Sequence, residues 1–355
     1  MGYIRKRGRR WAAEVRRAGQ AQARTFSTKG EAQAWVVEVE GRIARGQAVG
    51  GEGRTFGDVL DKYLTDITPH KRGARNEAAR LMAHLRDPIA QVRLAELAPR
   101  HFAELRDRRL REPSPALGRA VSGASVIRDF KLLSAALNVA VREWGWLAEN
   151  PLTHVARPAD NAPRGRVATA EEIERLRHVA AWPEGAVPVT ETARTVAAFV
   201  LSCATGMRAG EILALERGWL RPRVAALPAH ATKTGQAREV ALSSAAQALI
   251  EQVATLGHAP AIWGLSDATR DALWRKVRNK AGLGPVRGAD GRVVRQGLNF
   301  HDGRATFATW AAAPGPDGAP RLDVLALARQ LGHRDIRQLM TYYRESTEAL
   351  AGRLG

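Results

Sequence analysis

The chain has 355 residues, room for two or three domains each with its own core, and carries a formal charge of +19 with a pI near 11.1. Charge of that sign and size favours a polyanion, nucleic acid ahead of a membrane surface, over acidic small molecules. No stretch approaches the ~20 apolar residues of a span, and a single cysteine, Cys203, excludes an internal disulfide.

The charge is densest at the start, where residues 1–29 hold nine Lys/Arg against one acid. Short basic stretches around Trp11–Arg16 and Ala23–Phe26, split by a turn at Gly19, predict a small antiparallel sheet. Thr28 and Glu31 then form a capping-box pattern, with Ala32, Trp35, Val36, Val39 and Ile43 following at helical spacing. A basic sheet face of this kind can lie in a DNA groove, which makes Arg5, Lys6, Arg7, Arg9, Arg10, Arg16 and Arg17 candidate DNA contacts. The N-terminus leads into WAAEVRRAG rather than a signal-peptide core, so a cytoplasmic location is expected.

AVGGEGR, residues 48–54, reads as a linker. Beyond it Thr55 caps a helix whose stripe is Phe56, Val59, Leu60 and Tyr63, and residues 75–87, 99–111 and 122–147 are also helical in pattern. Residues 55–150 therefore predict a compact helical domain. ENPLTHVARPADNAPRGR, with three prolines, reads as a second linker. A third segment, 165–355, opens on the capping pair Thr169 and Glu172. Cys203 lies there in the apolar run VLSCA and reads as a packing residue. Gly- and Pro-rich stretches at 282–297 and 314–320 read as surface loops. The predicted class is mainly α with small β elements: a β-ribbon plus helix (1–47), a helical domain (55–150), and a mixed, mostly helical domain with a β-hairpin (165–355).

The sequence has no GxxxxGK[ST], HExxH, paired cysteines or DxDxDG loop, and its carboxylates do not cluster as a two-metal nuclease needs, so neither metal nor cofactor is expected. What remains is basic residues and tyrosine. In TGMRAGEILALERGWL, Arg208 follows a Thr-Gly turn at the start of a helix with Ile212 and Leu215 inward, and Glu211 is placed to orient its guanidinium. A surface Arg–Glu pair is the plain alternative. In HATKTGQAREVALS, Val240 and Leu242 alternate and Lys233 sits on the turn, either as a solvated lysine or as a mobile general acid.

NFHDGRATFATWAAA puts His301 and Arg304 at i and i+3 of a helix with Phe307, Trp310 and Ala311 as its buried stripe. Arginine beside histidine suits a phosphate, although a structural helix-cap histidine is the alternative. LGHRDIRQLMTYYRES places two tyrosines after His333. If it is helical, Ile336, Leu339, Met340 and Tyr343 form a buried stripe, and Tyr342 turns by about 100° onto another face, free to enter a cleft. Together these groups describe one reaction. Two arginines neutralise a phosphodiester, a tyrosine attacks in line, and a lysine protonates the departing 5′ oxygen. Phenol, with a pKa of ~10, leaves more readily than an alkoxide, so the phosphotyrosine stays reactive enough for a second DNA end to displace it without ATP.

On these motifs the chain resembles the tyrosine recombinases, and among them the phage-type integrases, across all three segments. TGMRAGEI is similar to the family's first-arginine box, TKTGQAREVAL to its hairpin-lysine box, HDGRATF to its His-x-x-Arg box, and LGH with a tyrosine nine residues on to its closing box. The resemblance implies that Arg208 and Arg304 clamp phosphate, Lys233 is the general acid, His301 handles a proton, His333 hydrogen-bonds the phosphate, and Tyr342 is the nucleophile. It departs from the family at Gly303 and Ala305, where leucine and often histidine are usual. A helical glycine costs about 1 kcal/mol and suggests a looser helix. The insert at residues 284–296 is also somewhat long.

The resemblance implies a middle domain that closes with the catalytic domain around double-stranded core DNA, an N-terminal domain on arm sites, and a tetramer on two duplexes. It leaves room for a directionality factor or a DNA-bending protein, and it makes the segment after Tyr343 a candidate for docking on a neighbouring protomer. Integration and excision of a mobile element is the expected function. Relaxation of supercoils by a type IB topoisomerase, a silent DNA-binding regulator on the same scaffold, and a chromosome-dimer resolvase are the rivals.

Overall fold

The computed structural model describes residues 2–17, 20–44, 53–114, 118–160, 165–288, 293–316, 318–333, 335–340 and 342–343. The chain divides into two compact units, residues 1–163 and 164–355.

The first unit opens with three strands, β1 (Gly2–Arg7), β2 (Arg10–Arg17) and β3 (Gln20–Phe26), antiparallel in the order β1-β2-β3. β1 adds a third strand to the two expected. The basic run YIRKR has little apolar alternation, and its pairing with β2, from Gly2 opposite Val15 to Arg7 opposite Arg10, holds it in the sheet. Helix α1 (Lys29–Ala44) begins at the expected box: Glu31 accepts from the Ser27 and Thr28 amides, and Thr28 Oγ1 accepts from Glu31 N. It covers one sheet face, burying Ala32, Val36 and Val39 with Ala13 and Val15, while Ile4, Trp11, Phe26 and Trp35 close the rim. The Ile43 side chain and most of the first linker lie outside the described residues.

The helical part has its own core. Its helices are α2 (Phe56–Asp66), α3 (Ala74–Leu85), α4 (Pro99–Arg111) and α5 (Gly123–Arg142). Thr55 and Asp58 make a reciprocal capping box, and Phe56, Val59, Leu60 and Tyr63 are all buried as their spacing predicts. Each such side chain contributes about 1.5–3 kcal/mol on burial. Phe56 meets Phe102 edge-on at 5.3 Å, and Phe130, Leu133 and Leu137 of α5 fill the centre. The buried Asp129 on α5 is held by Arg109 at 2.8 Å and Arg80 at 3.3 Å, so its charge is compensated where it would otherwise be costly.

The second unit is built around α7 (Glu191–Thr205), apolar nearly all round and buried from Ala193 through Phe199. Packed around this core are α6 (Ala170–Val179), α8 (Ala209–Leu213), a sheet, α9 (Ser244–Ala254), α10 (Asp267–Lys280), α11 (Asp302–Ala312) and α12 (Val324–Leu331). The sheet has β4 (Leu220–Arg221), β5 (Val224–Leu227) and β6 (Arg238–Ala241) in antiparallel order. The hairpin read around Lys233 is β5–β6, with β4 as an additional edge. The stretch read as a loop at 282–297 carries a short antiparallel pair, β7 (Val286–Arg287) and β8 (Val293–Arg295).

Gly303 has a packing reason. A Cβ there would come within 3.1 Å of Phe199 Cε2 and Ser202 Cβ and 3.2 Å of the Phe199 carbonyl. The glycine lets α11 press against α7, so this helix is tightly packed where its sequence suggested looseness. No helix among the described residues is long and apolar enough to cross a membrane.

Candidate active site

Two glycine-capped helix ends frame the site. Helix α7 ends at Gly206 (φ +69°) and α12 at Gly332 (φ +64°), both left-handed caps. A Cβ on Gly206 would lie 2.4 Å from Leu331 Cδ2 and 2.7 Å from Phe307, so only glycine lets the two helix ends and α11 meet. Arg304 bridges them, donating from Nη1 to the Gly206 carbonyl and from Nη2 to the Leu331 carbonyl, each at 2.6 Å. The C-terminal ends of two helix dipoles thus take the place of a carboxylate partner for a guanidinium only 4% exposed. Burial, then the charges of Arg208 and Arg238, pull its pKa down to about 9, so it remains a cation at neutral pH.

Arg208 sits at the N-terminus of α8, its extended backbone following the Gly206 turn. Its Nη1 meets Glu211 Oε1 at 3.0 Å, its amide donates to Glu211 Oε2 at 2.8 Å, and its Nη2 faces the Gly332 carbonyl at 3.4 Å. Glu211 is therefore where an orienting carboxylate was expected, and it is 2% exposed. Burial opposes its ionisation, but the hydrogen bond and charge of Arg238 and then Arg208 outweigh that, keeping it below the ordinary carboxylate range. Ile212 and Leu215 are buried beneath it.

His301 stands at the N-terminus of α11, its ring open to solvent on one side. Crowding by protein on the other side, then the Arg304 charge, lowers its pKa; Arg208 and Lys233 act in the same direction and Asp302 opposes them. Partial burial followed by Arg304, Arg208 and Arg238 pushes His333, just past Gly332, down to about 4. Its Nδ1 is buried with no hydrogen-bond partner among the described residues. Both imidazoles are therefore neutral at pH 7, able to donate a hydrogen bond without adding charge. Lys233 lies on the exposed turn between β5 and β6, close enough to influence His301 but hydrogen-bonded to none of the other site residues. The turn is pinned by Thr232 Oγ1, which donates to the Gln236 carbonyl at 2.8 Å.

The expected stripe after His333 does not form. Residues Ile336–Leu339 make a single 3₁₀ turn, leaving Ile336 47% and Met340 65% exposed and burying Leu339. Asp335 caps that turn, and a 3₁₀ turn does not follow the 3.6-residue period on which the stripe depends. Tyr342 and Tyr343 are both half-buried against the small cluster formed by Phe307, Leu327, Leu331 and Leu339. Their surroundings, rather than their burial, distinguish them. Burial raises the Tyr342 pKa while Arg304 pulls it back, placing that phenol in the field of Arg304. Tyr343 donates its hydroxyl to the Leu322 carbonyl at 2.6 Å, and burial followed by Asp323 raises it.

Trp310, expected inside α11, is 54% exposed with Arg321 over its ring at 5.2 Å; Phe307 and Ala311 are buried as expected. Burial pushes the Cys203 thiol up to about 12, consistent with a packing residue. In the N-terminal sheet, Arg5 and Arg7 share the solvent face with Tyr3 and Arg10, Lys6 leans over Trp11 on the opposite face, and Arg9 is in the turn. The candidate basic residues there are exposed but do not all share one face; the Arg16 and Arg17 side chains lie outside the described set.

Sequence reasoning passed over two residues. Arg238 shares the inward register of Val240 and Leu242, an anomaly for a charged side chain, and donates to Glu211 Oε2 at 2.7 Å and to the Gln330 carbonyl at 2.5 Å. Gln330 pairs its side-chain amide with both the N–H and C=O of Ala241, each at 3.0 Å, and with the Thr205 carbonyl at 2.9 Å, lacing α12 to β6 and α7.

One mostly helical unit thus holds two arginines, two neutral imidazoles and a phenol in the field of Arg304, the side-chain set expected of a tyrosine-nucleophile phosphoryl-transfer site. The phage integrase family model matches residues 166–349. A putative integrase/recombinase of Haemophilus influenzae is 32% identical over 352 residues, covering 97% of this chain and 87% of the relative. The shufflon-specific DNA recombinase of Escherichia coli is 31% identical, over 80% of this chain and 67% of its own length. Among solved structures, a lambda integrase dimer bound to a COC′ core site has a TM-score of 0.61 at 16% identity, covering 97% of this chain and 96% of that one. The Tn1549 transposon integrase in complex with circular intermediate DNA also has a TM-score of 0.61 at 16% identity, covering 85% of this chain and 100% of that one. The chain belongs to the phage integrase family and is a site-specific tyrosine recombinase.

Proposed function

We propose that this recombinase integrates and excises a mobile DNA element, with Tyr342 forming a 3′-phosphotyrosine bond at each strand cut. Arg208 and Arg304 hold the non-bridging oxygens of the scissile phosphate, and their charge meets the negative charge that grows in the transition state. His333 donates a hydrogen bond to the same phosphate as a neutral imidazole, and His301 handles the phenol proton. Lys233 swings from its turn to protonate the 5′ oxygen as it leaves. A 5′ hydroxyl from a partner strand then attacks the phosphotyrosine and restores the phenol, so strand exchange needs neither metal nor ATP. The convergence of Arg208, Arg304 and His333, with Tyr342 in the field of Arg304 and Tyr343 tied off at Leu322, supports this reading.

Double-stranded DNA is the substrate, and the protein acts as a tetramer on two duplexes. Support comes from the lambda integrase, whose structures include a tetramer bound to a Holliday junction. Residues 1–47 serve arm sites, 55–150 the core site and 165–355 catalysis. A directionality factor or a DNA-bending protein would act through the arm sites, and the protein works in the cytoplasm. Trimming residues 1–47 should spare cleavage at core sites and weaken recombination on full sites; equal loss on both would remove the arm assignment. The function itself is tested on plasmids carrying one or two copies of a core site selected by the full chain from a random-sequence pool. Excision or inversion on the two-site plasmid is expected. Relaxation that proceeds equally on the one-site plasmid, with no exchanged product, would replace recombination with a topoisomerase activity.

A further inference from the structure

Arg238 lies in the middle of the site but in none of the assigned roles. Its side chain is 10% exposed and forks onto Glu211, Nη2 to Oε2 at 2.7 Å and Nε to Oε1 at 3.4 Å. Its third nitrogen, Nη1, donates to the Gln330 carbonyl in the last turn of α12 at 2.5 Å. Its stem lies against Gly332, where an added Cβ would come 2.8 Å from Arg238 Cδ and 3.0 Å from Nε. One guanidinium therefore fixes the carboxylate that holds Arg208 and packs under the glycine that turns the chain into His333. It does so from the strand that follows the Lys233 turn.

The division of Glu211 between two arginines has a consequence for charge. Arg238 takes both carboxylate oxygens, whereas the Arg208 side chain meets Glu211 through one nitrogen only. Arg208 has five N–H donors, so most of its fork stays available. Without Arg238 the buried carboxylate would keep Arg208 as its one ion-pair partner among the described residues, and a buried charge draws hard on whatever partner is left. Arg208 would then be pulled toward Glu211 and its field at the phosphate reduced.

Resting on the recombinase reading above, we propose that Arg238 is a positioning residue for strand cleavage. It neutralises Glu211 so that Arg208 is free for the scissile phosphate, and it sets the hairpin bearing Lys233 against the His333 turn. All three of its nitrogens are committed to Glu211 and Gln330, so it should affect the rate of cleavage in the bound complex rather than the affinity for DNA.

The test uses the full chain and a nicked duplex carrying the selected core site, which traps the covalent adduct in a single turnover at saturating protein. Arg238→Met should bind the duplex within about threefold of wild type but form adduct roughly 30-fold more slowly, inside the range typical when a group orienting a functional side chain is removed. Adding Glu211→Gln to Arg238→Met removes the unneutralised charge and should recover roughly tenfold of that loss, whereas a merely structural pair would lose more. Arg238→Lys keeps the charge but cannot fork. It should melt like wild type and still lose roughly tenfold in rate, and it decides the matter if the methionine variant does not fold. A wild-type rate in Arg238→Lys, or a double variant slower than Arg238→Met, overturns the proposal. If wild type itself binds the duplex and forms no adduct, the recombination chemistry fails first and this inference falls with it.

Discussion

Replacing Arg304 with methionine separates what this residue does for the fold from what it does for the reaction. Its pKa falls from 12.5 to about 9 on burial among like charges, a difference of about 3.5 units, or roughly 5 kcal/mol held against the charged form. Its two hydrogen bonds to the Gly206 and Leu331 carbonyls offset this, at about 1.5–3 kcal/mol each for a charged donor. The two sides nearly cancel. Arg304→Met, close in length and uncharged, should therefore leave the stability of the DNA-free chain within about 2 kcal/mol of wild type by chemical denaturation. On the proposed mechanism the same variant would lose a forked contact to the transition-state phosphate, and removal of a single such donor typically costs about 10²–10³ in rate, so adduct formation should fall by at least ~10³. Sulfate should raise the melting temperature of wild type more than that of the variant, because only wild type keeps the buried cation that favours a bound anion. The reasoning fails if Arg304→Met is destabilised by more than about 4 kcal/mol, which would make Arg304 a structural keystone. It fails equally if adduct forms within tenfold of wild type.

The depressed pKa of His333 predicts a pH dependence. With a native value of about 4 and an ordinary value of 6.5, the unfolded chain binds the extra proton first as pH falls. Stability should therefore be unaffected by this group above pH 7 and decline between about pH 6.5 and 4, by at most about 3 kcal/mol. His333→Asn should flatten that part of the denaturation-versus-pH curve, and identical slopes in the two proteins would count against a neutral, buried imidazole. At Gly303, substitution by leucine should destabilise by about 1–2 kcal/mol, since overpacking against Phe199 outweighs the helix propensity gained. A leucine variant that melts higher than wild type would mean that α11 and α7 are less closely packed than described.

The elements with strong local signals were legible in the sequence. The capping boxes at Thr28 and Thr169, the cap at Thr55 and the α2 stripe each depend on interactions within a few residues. Arg208, Glu211, His301 and Arg304 were legible for a related reason, since each pair sits within one turn of a helix. Long-range contacts were harder to read. Arg238 and Gln330 act across more than 80 residues of chain, and only the inward register of a charged side chain hinted at the first. The stripe at Ile336, Met340 and Tyr343 misled because apolar spacing states what a helix would bury, not that a helix forms; a capped 3₁₀ turn intervened. Trp310 misled in the same way, lying at the edge of a face already filled by Phe307 and Ala311. With that stripe gone, the proposal of Tyr342 over Tyr343 rests on other grounds, the neighbouring Arg304 charge and the hydroxyl bond that occupies Tyr343.

Which phenol attacks is the most direct question to put to the protein. Incubated with the nicked core-site duplex, Tyr343→Phe should give a covalent protein–DNA band that survives denaturing electrophoresis, and Tyr342→Phe should give none while still binding the duplex. An adduct from the Tyr342 variant, or its absence only from the Tyr343 variant, would contradict the arrangement of the site described above.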